Sequence, residues 1–439
     1  MCTVLQGNAQ PLPELLKRAV ASYPFLKAKK FDVQARKDMV SYAKSSALPS
    51  VDAAYQVNYS TYNNITGMAT SQNFVPISGP PSSTNDYNGV FGSVGGLLMN
   101  WEPFTFGQRK SKIESAKAYQ SYQEADESQE IFQHQVRTAN AYLDVVLMNE
   151  LVKVYSKNLE RAENNVRIVN SLTRSGLRPG TDTSLFNAEL SRAKIELLNF
   201  EKLRETQKVM LSEMLGATDY NYNLDSSFCT FLPRPIVPSD SETQEHPLIT
   251  LSRSRVAINQ SEETSLVRSL NPKLSFWGTG NARGSGIRYD GYVNSTDGLS
   301  FSRYNYGAGL VLSVPLLRFT TVRHQVSAQS ALVQSEKERM NLVKLQLSKQ
   351  NQIADVTLVN ALKIAKESPS FYRSAEFSYR SLLSRYNSGL INYTDLVQSQ
   401  YILIKSETDL KKVYLDAWKA LLYKAAVKGD INIFLNQLN

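Results

Sequence analysis

Very little in this chain invites chemistry. It has two cysteines, Cys2 and Cys229, and three histidines, His134, His246 and His324, scattered over 439 residues. Thiols so far apart indicate neither a disulfide framework nor a metal site, and the histidines read as surface or packing residues. No activated Ser or Cys arrangement, phosphate loop or His-Glu metal spacing occurs, and Gly284-Ser285-Gly286 is a loop signal. The expectation is a protein that is not an enzyme, with no catalytic residues, no cofactor and no metal. No run of about 18 apolar residues exists, so no helix is expected to span a membrane. The net charge of +9 does not point to nucleic acid, because Lys and Arg alternate with Asp and Glu as on solvated helix faces.

Two further absences are local. Between Lys44 and Glu102 there is no Lys or Arg, and only Asp52 and Asp86 are charged. Beyond the junctions at their starts, the stretches from Pro103 to Gly176 and from Pro315 to Gly389 hold no helix breaker except Pro369. A helix of that length reaches roughly 100 Å and implies coiled-coil packing.

What is present comes in pairs. Arg174-Ser175-Gly176-Leu177-Arg178-Pro179-Gly180-Thr181-Asp182 is matched by Asn387-Ser388-Gly389-Leu390-Ile391-Asn392-Tyr393-Thr394-Asp395, each between two long helical patterns. Glycine suits a left-handed C-cap and Thr an N-cap, so each stretch reads as the tip of a helical hairpin. Tyr23-Pro24 and Leu48-Pro49 are echoed by His246-Pro247 and Asn271-Pro272, and Pro103 by Pro315. The offset shrinks only between Pro49 and Pro103, which is what a duplication with one longer loop produces.

Helical spacing covers residues 12–22 and 25–47. Then Val51, Ala53, Tyr55, Val57 and Tyr59 alternate with mostly polar neighbours, the period of a half-buried strand. Strands are expected at about 50–62, 87–101, 273–283 and 303–314, with aromatic residues near their ends, as membrane barrels arrange them. Return helices are expected from about Thr181 to Leu215 and Thr394 to Val427. The domain reading is a possible signal-peptide remnant at 1–10, repeat 1 at 11–216, a linker at 217–245, repeat 2 at 246–429 and a tail at 430–439. A lipid on Cys2 would need an upstream segment to complete the signal. Four strands cannot close a barrel and open edges are forbidden in lipid, so three chains with twelve strands are expected.

From about Pro11 to Gly429 the chain resembles TolC-family outer-membrane efflux proteins. The resemblance rests on Leu48-Pro49, on Trp101-Glu102-Pro103-Phe104-Thr105-Phe106-Gly107-Gln108-Arg109, and on the two Gly-Leu turns followed by Thr-Asp. It implies a mainly α fold with a small β part, a trimeric twelve-stranded barrel continued by a coiled-coil tunnel. It implies an outer-membrane exit duct of a tripartite efflux or type I secretion system in a Gram-negative bacterium, extending into the periplasm and surrounded by outer-membrane lipid. Expected partners are a periplasmic membrane-fusion adaptor protein and an inner-membrane transporter of RND or ABC type. Gly176, Leu177, Gly389 and Leu390 would form the adaptor-docking tip. Asp182, Asp395, Tyr386 and Arg178 would form the aperture, with Arg178 standing in for the arginine that the family places where this chain has Ile391. Both aspartates also suit a helix start on dipole grounds alone. The second strand-to-helix junction, Val314-Pro315-Leu316-Leu317-Arg318-Phe319-Thr320, lacks the family's glycine. The alternative is a soluble periplasmic coiled-coil adaptor or scaffold whose hairpins form a small sandwich.

Overall fold

The structure is a computed structural model that describes residues 11–63, 83–218, 224–234, 245–288, 290 and 292–438. The expected signal remnant, Cys2 and much of the first inter-strand loop lie outside them. In chain order the elements are α1 (Leu12–Ser22), α2 (Pro24–Ser45), β1 (Ser50–Ser60), β2 (Val90–Phe104), α3 (Gln108–Arg174) and α4 (Gly180–Met214). There follow α5 (Pro247–Arg268), β3 (Lys273–Ser285), β4 (Arg303–Ser313), α6 (Arg318–Asn387), α7 (Tyr393–Lys428) and the single turn α8 (Asn432–Leu435). The protein is thus mainly helical with one small sheet. Among the described residues no helix is long and apolar enough to cross a membrane.

The chain divides into two compact units. One, built from Arg36–Tyr119 and Ala257–Val333, contains the sheet. Its strands form an antiparallel meander in the order β1-β2-β3-β4, so β1 and β4 each have a single neighbour. Register sorts the side chains cleanly. One row runs Tyr55, Gly95, Ala282, Tyr304 and another Val51, Met99, Gly278, Ala308; with Leu97, Phe276, Leu310 and Leu312 they make one face apolar. The alternate rows, such as Gln56, Val94, Arg283, Arg303, carry all the charges of the ladder. Every residue of β1 is exposed, and Tyr306 on β4 is 95% exposed. Strand β2 begins three residues later than expected and runs on to Phe104 through a register shift after Trp101. That shift holds Pro103, which has no N–H to give a ladder.

The other unit, Gln120–Val256 and Gln334–Asn439 with the chain up to Ala35, is helical. On α3, Leu151, Val154, Asn158, Ala162, Asn165 and Val169 are buried at steps of three and four, the spacing of a coiled-coil seam. A main core gathers Leu12, Leu15 and Leu16 of α1 with Tyr142, Leu143 and Val146 of α3 and Leu415, Trp418 and Leu421 of α7. The expected linker is not a plain connector: Phe228 packs edge-on against Trp418 (5.1 Å) and Tyr142 (5.8 Å). Cys229 beside it is buried, which pushes its thiol up to about 12 and keeps it unreactive. His134 is fully buried, stacked on Tyr23 at 4.1 Å and 2.9 Å from the Met214 carbonyl. Burial pushes its pKa below the ordinary value, so it packs as a neutral ring.

Candidate functional site

Both hairpin turns have the same backbone. Gly176 and Gly389 adopt φ of 71° and 77°, the left-handed region. The N–H of Leu177 donates to the Leu172 carbonyl and that of Leu390 to the Arg385 carbonyl, each at 2.9 Å; Gly176 and Gly389 donate to Thr173 and Tyr386. These paired bonds are the Schellman closure of a helix C-terminus. Nothing lies within 4 Å of a side chain added at either glycine, so glycine is required by conformation and not by crowding. Leu177 and Leu390 project as exposed apolar knobs.

The helix starts differ from expectation. The N-caps are Pro179 and Asn392, with Thr181 and Thr394 inside the first turn. Pro179 supplies extended backbone and no side-chain cap, whereas the Asn392 side chain accepts the N–H of Asp395 at 3.1 Å. Asp395 is exposed, and the structure does not bring it to the other three aperture candidates.

Those three do meet. Tyr386, 1% exposed near the end of α6, donates its hydroxyl to Asp182 Oδ2 at 2.9 Å. Arg178 lies 4.2 Å above the Tyr386 ring and donates to the carbonyls of Tyr386 (2.8 Å) and Ile391 (2.7 Å). One arginine of the first turn thus clamps the backbone of the second. The position where an arginine was expected, Ile391, contributes an acceptor instead of a donor. Burial first, then the bond to Asp182, push the Tyr386 phenol well above its ordinary value, so it stays a donor at any physiological pH. Phe186 and Tyr393 pack edge-on against this centre: Phe186 sits 5.6 Å from Tyr386 and 4.8 Å from Tyr393.

Sequence reading missed a second linkage two turns along α4. The Tyr401 hydroxyl donates to Glu189 Oε2 at 2.6 Å and accepts from Arg192 at 2.7 Å, while Arg192 also stacks over the ring. Its signal was available: Asp182, Phe186 and Glu189 fall at steps of four and three on one face of α4. Among the described residues no group of three or more His, Cys, Asp or Glu is placed to hold a metal.

Residues 15–217 match the family model described as outer membrane efflux protein. No curated sequence matches the chain. Among solved structures, the outer membrane protein VceC of Vibrio cholerae superposes with a TM-score of 0.75 at 15% identity, covering 95% of this chain and 96% of its own. The Campylobacter jejuni CmeC outer membrane channel gives 0.77 at 14% identity, covering 98% and 90%. The open state of the Neisseria gonorrhoeae MtrE outer membrane channel gives 0.74 at 13%, covering 96% and 89%. At such identities the likeness is one of fold, and it extends over nearly the whole chain. Residues 15–217 are thus similar to the outer membrane efflux protein family, and nearly the whole chain shares the fold of these outer membrane channels.

Proposed function

We propose that this protein is a passive outer-membrane exit duct that works as a homotrimer. Its strands complete a twelve-stranded barrel and its helical hairpins form a tunnel that receives substrate from the periplasm. The observation that carries the reading is the sheet. Its apolar face, with Tyr304, Tyr306, Leu310 and Leu312, is exposed, and β1 and β4 are left with free edges. In water such a sheet has no core and invites aggregation. In lipid its apolar face is solvated, provided the edges close on neighbouring copies. A soluble adaptor with a β-sandwich needs a second layer over that face, and among the described residues nothing covers these exposed side chains.

The Arg178–Tyr386–Asp182 cluster is the closing device within each protomer. It holds the second hairpin against the first, and docking of a periplasmic adaptor at Gly176-Leu177 and Gly389-Leu390 releases it. The pump that energises transport belongs to a separate inner-membrane protein, since a tube of this kind holds no energy source. The two element series α2-β1-β2-α3-α4 and α5-β3-β4-α6-α7 fit an internal duplication. Size-exclusion with light scattering in detergent, followed by planar-bilayer recording, tests the reading. A trimer with discrete conductance is expected; a monomer without conductance overturns it.

A further inference from the structure

The sheet unit carries positive charge that its own fold does not use. Arg283 and Arg303 are direct cross-strand partners on the polar face. Like charges placed opposite one another destabilise a sheet. The rest of that row is Gln56 and Val94, so the sheet brings no carboxylate to it. Both arginines are exposed, and neither forms an ion pair among the described residues. Two acids of the same unit are engaged elsewhere: Asp297 pairs with Arg288, and the Asp86 carboxylate accepts from Asn88.

At the other end of β3, some ten residues or roughly 33 Å away, the same unit holds a cleft of about 730 Å³ lined by α2, the start of α3 and the strand ends. That volume suits a small organic ligand. Its cations are Arg36, Arg109, Lys112 and Lys273, against the single lining carboxylate Glu102. Lys273 continues the polar row of Ser275 and Trp277 and pairs with Glu102 at 3.3 Å. Arg109 is fixed by donating to the Pro103 and Glu102 carbonyls. Arg36 stacks on Tyr119, whose hydroxyl is bound to Glu262, and neither Arg36 nor Lys112 has an ion-pair partner among the described residues. Met39, Tyr42 and Leu48 supply apolar wall in the same cleft.

We propose that the polar face of the sheet binds organic anions that join a carboxylate, sulfonate or phosphate to an apolar ring or chain. The cleft seats the ligand, apolar part against Met39 and Tyr42 and anionic group toward Lys112 and Arg36. Arg283 and Arg303 form a second station for the anionic group at the far end of the strands. Clefts lined by one sign of charge focus potential and concentrate oppositely charged solute. The proposal rests on the exit-duct reading only in turning this face toward a lumen; binding itself does not require a pore.

The test uses the full-length protein in a non-ionic detergent and naphthalene-2-sulfonate as probe, with 2-naphthylmethanol as its neutral counterpart. Equilibrium dialysis, corrected for detergent alone, is expected to show saturable sulfonate binding that the alcohol does not displace. The exposed pair Arg36→Gln with Lys112→Gln is expected to weaken it at least fivefold, and Lys112→Gln alone serves if the pair fails to assemble. Equal binding of the alcohol, or sulfonate binding unchanged in these variants, overturns the proposal. In bilayers under a KCl gradient, Arg283→Gln with Arg303→Gln is expected to shift the reversal potential toward cation preference, and no shift overturns the second station. Binding without conductance would count against the duct and leave the cleft standing; conductance without cleft-dependent binding would do the reverse.

Discussion

The two hairpin turns share one backbone and divide the work. The first turn supplies reaching side chains: Arg178 crosses to the second turn and Asp182 accepts from it. The second supplies what is reached, the Tyr386 ring and hydroxyl and two carbonyls, and it caps its own return helix through Asn392. Helix α4, N-capped by Pro179, has no side-chain cap, and Asp182 in its first turn accepts from Tyr386. The two turns thus combine equal backbone geometry with unequal side-chain chemistry. Where an arginine was expected, Ile391 instead offers its carbonyl to Arg178, so an arginine still joins the two turns.

Breaking the shared centre has the largest effect. Tyr386→Ala removes a fully buried ring and is expected to cost about 3–5 kcal/mol locally, read as a lowered melting temperature and a large rise in channel conductance. Arg178→Ala comes next, at about 1.5–3 kcal/mol for hydrogen bonds from a charged donor. Arg178→Lys is expected to recover little of this, because one ammonium does not reproduce a stacked planar fork. Tyr386→Phe isolates the bond to Asp182; conductance is expected to rise less than in the alanine variant. If Tyr386→Phe and Arg178→Ala both conduct like the wild type, the cluster is packing and not a latch.

Smaller changes sharpen the comparison between turns. Gly176→Ala and Gly389→Ala should each cost about 1 kcal/mol for the left-handed backbone, measured by denaturant unfolding, and the two costs should be equal. Asn392→Ala should cost about 1 kcal/mol through loss of its cap, with no counterpart at Pro179. Asp395→Asn should be the mildest, at about 0.3–1 kcal/mol from the helix dipole, with conductance unchanged. Asp182→Asn, by contrast, is expected to open the channel.

Much of this was legible beforehand, for reasons local to the chain. Helices α3 and α6 declare themselves because Pro369 is the one breaker within them, and α6 runs through it unbroken. Strands β1, β3 and β4 follow from period-two alternation, whereas the glycines of β2 blur its period; the Gly176 and Gly389 turns follow from glycine's freedom at positive φ. Thr181 and Thr394 suit caps by residue type, whereas backbone direction is set two residues earlier in both turns, at Pro179 and Asn392. The reach of Arg178 to Ile391 spans 213 residues, and no periodicity reports such a contact. For the Glu189–Tyr401–Arg192 linkage, spacing on α4 places Glu189 on the face of Asp182 and Phe186, but only packing of α4 on α7 supplies Tyr401.

In the proposed trimer, β1 of one copy pairs with β4 of the next. Within one chain these edges lie three strand spacings apart, roughly 14 Å, too far for a disulfide. Cysteines scanned along β1 from Val51 to Tyr59 against one fixed at Asn305, with Cys2 replaced by serine, therefore report only contacts between chains. Oxidation in detergent should yield, at one register, a covalent ladder ending at three chains. A ladder that stops at two, or no inter-chain product at any register, would contradict the account.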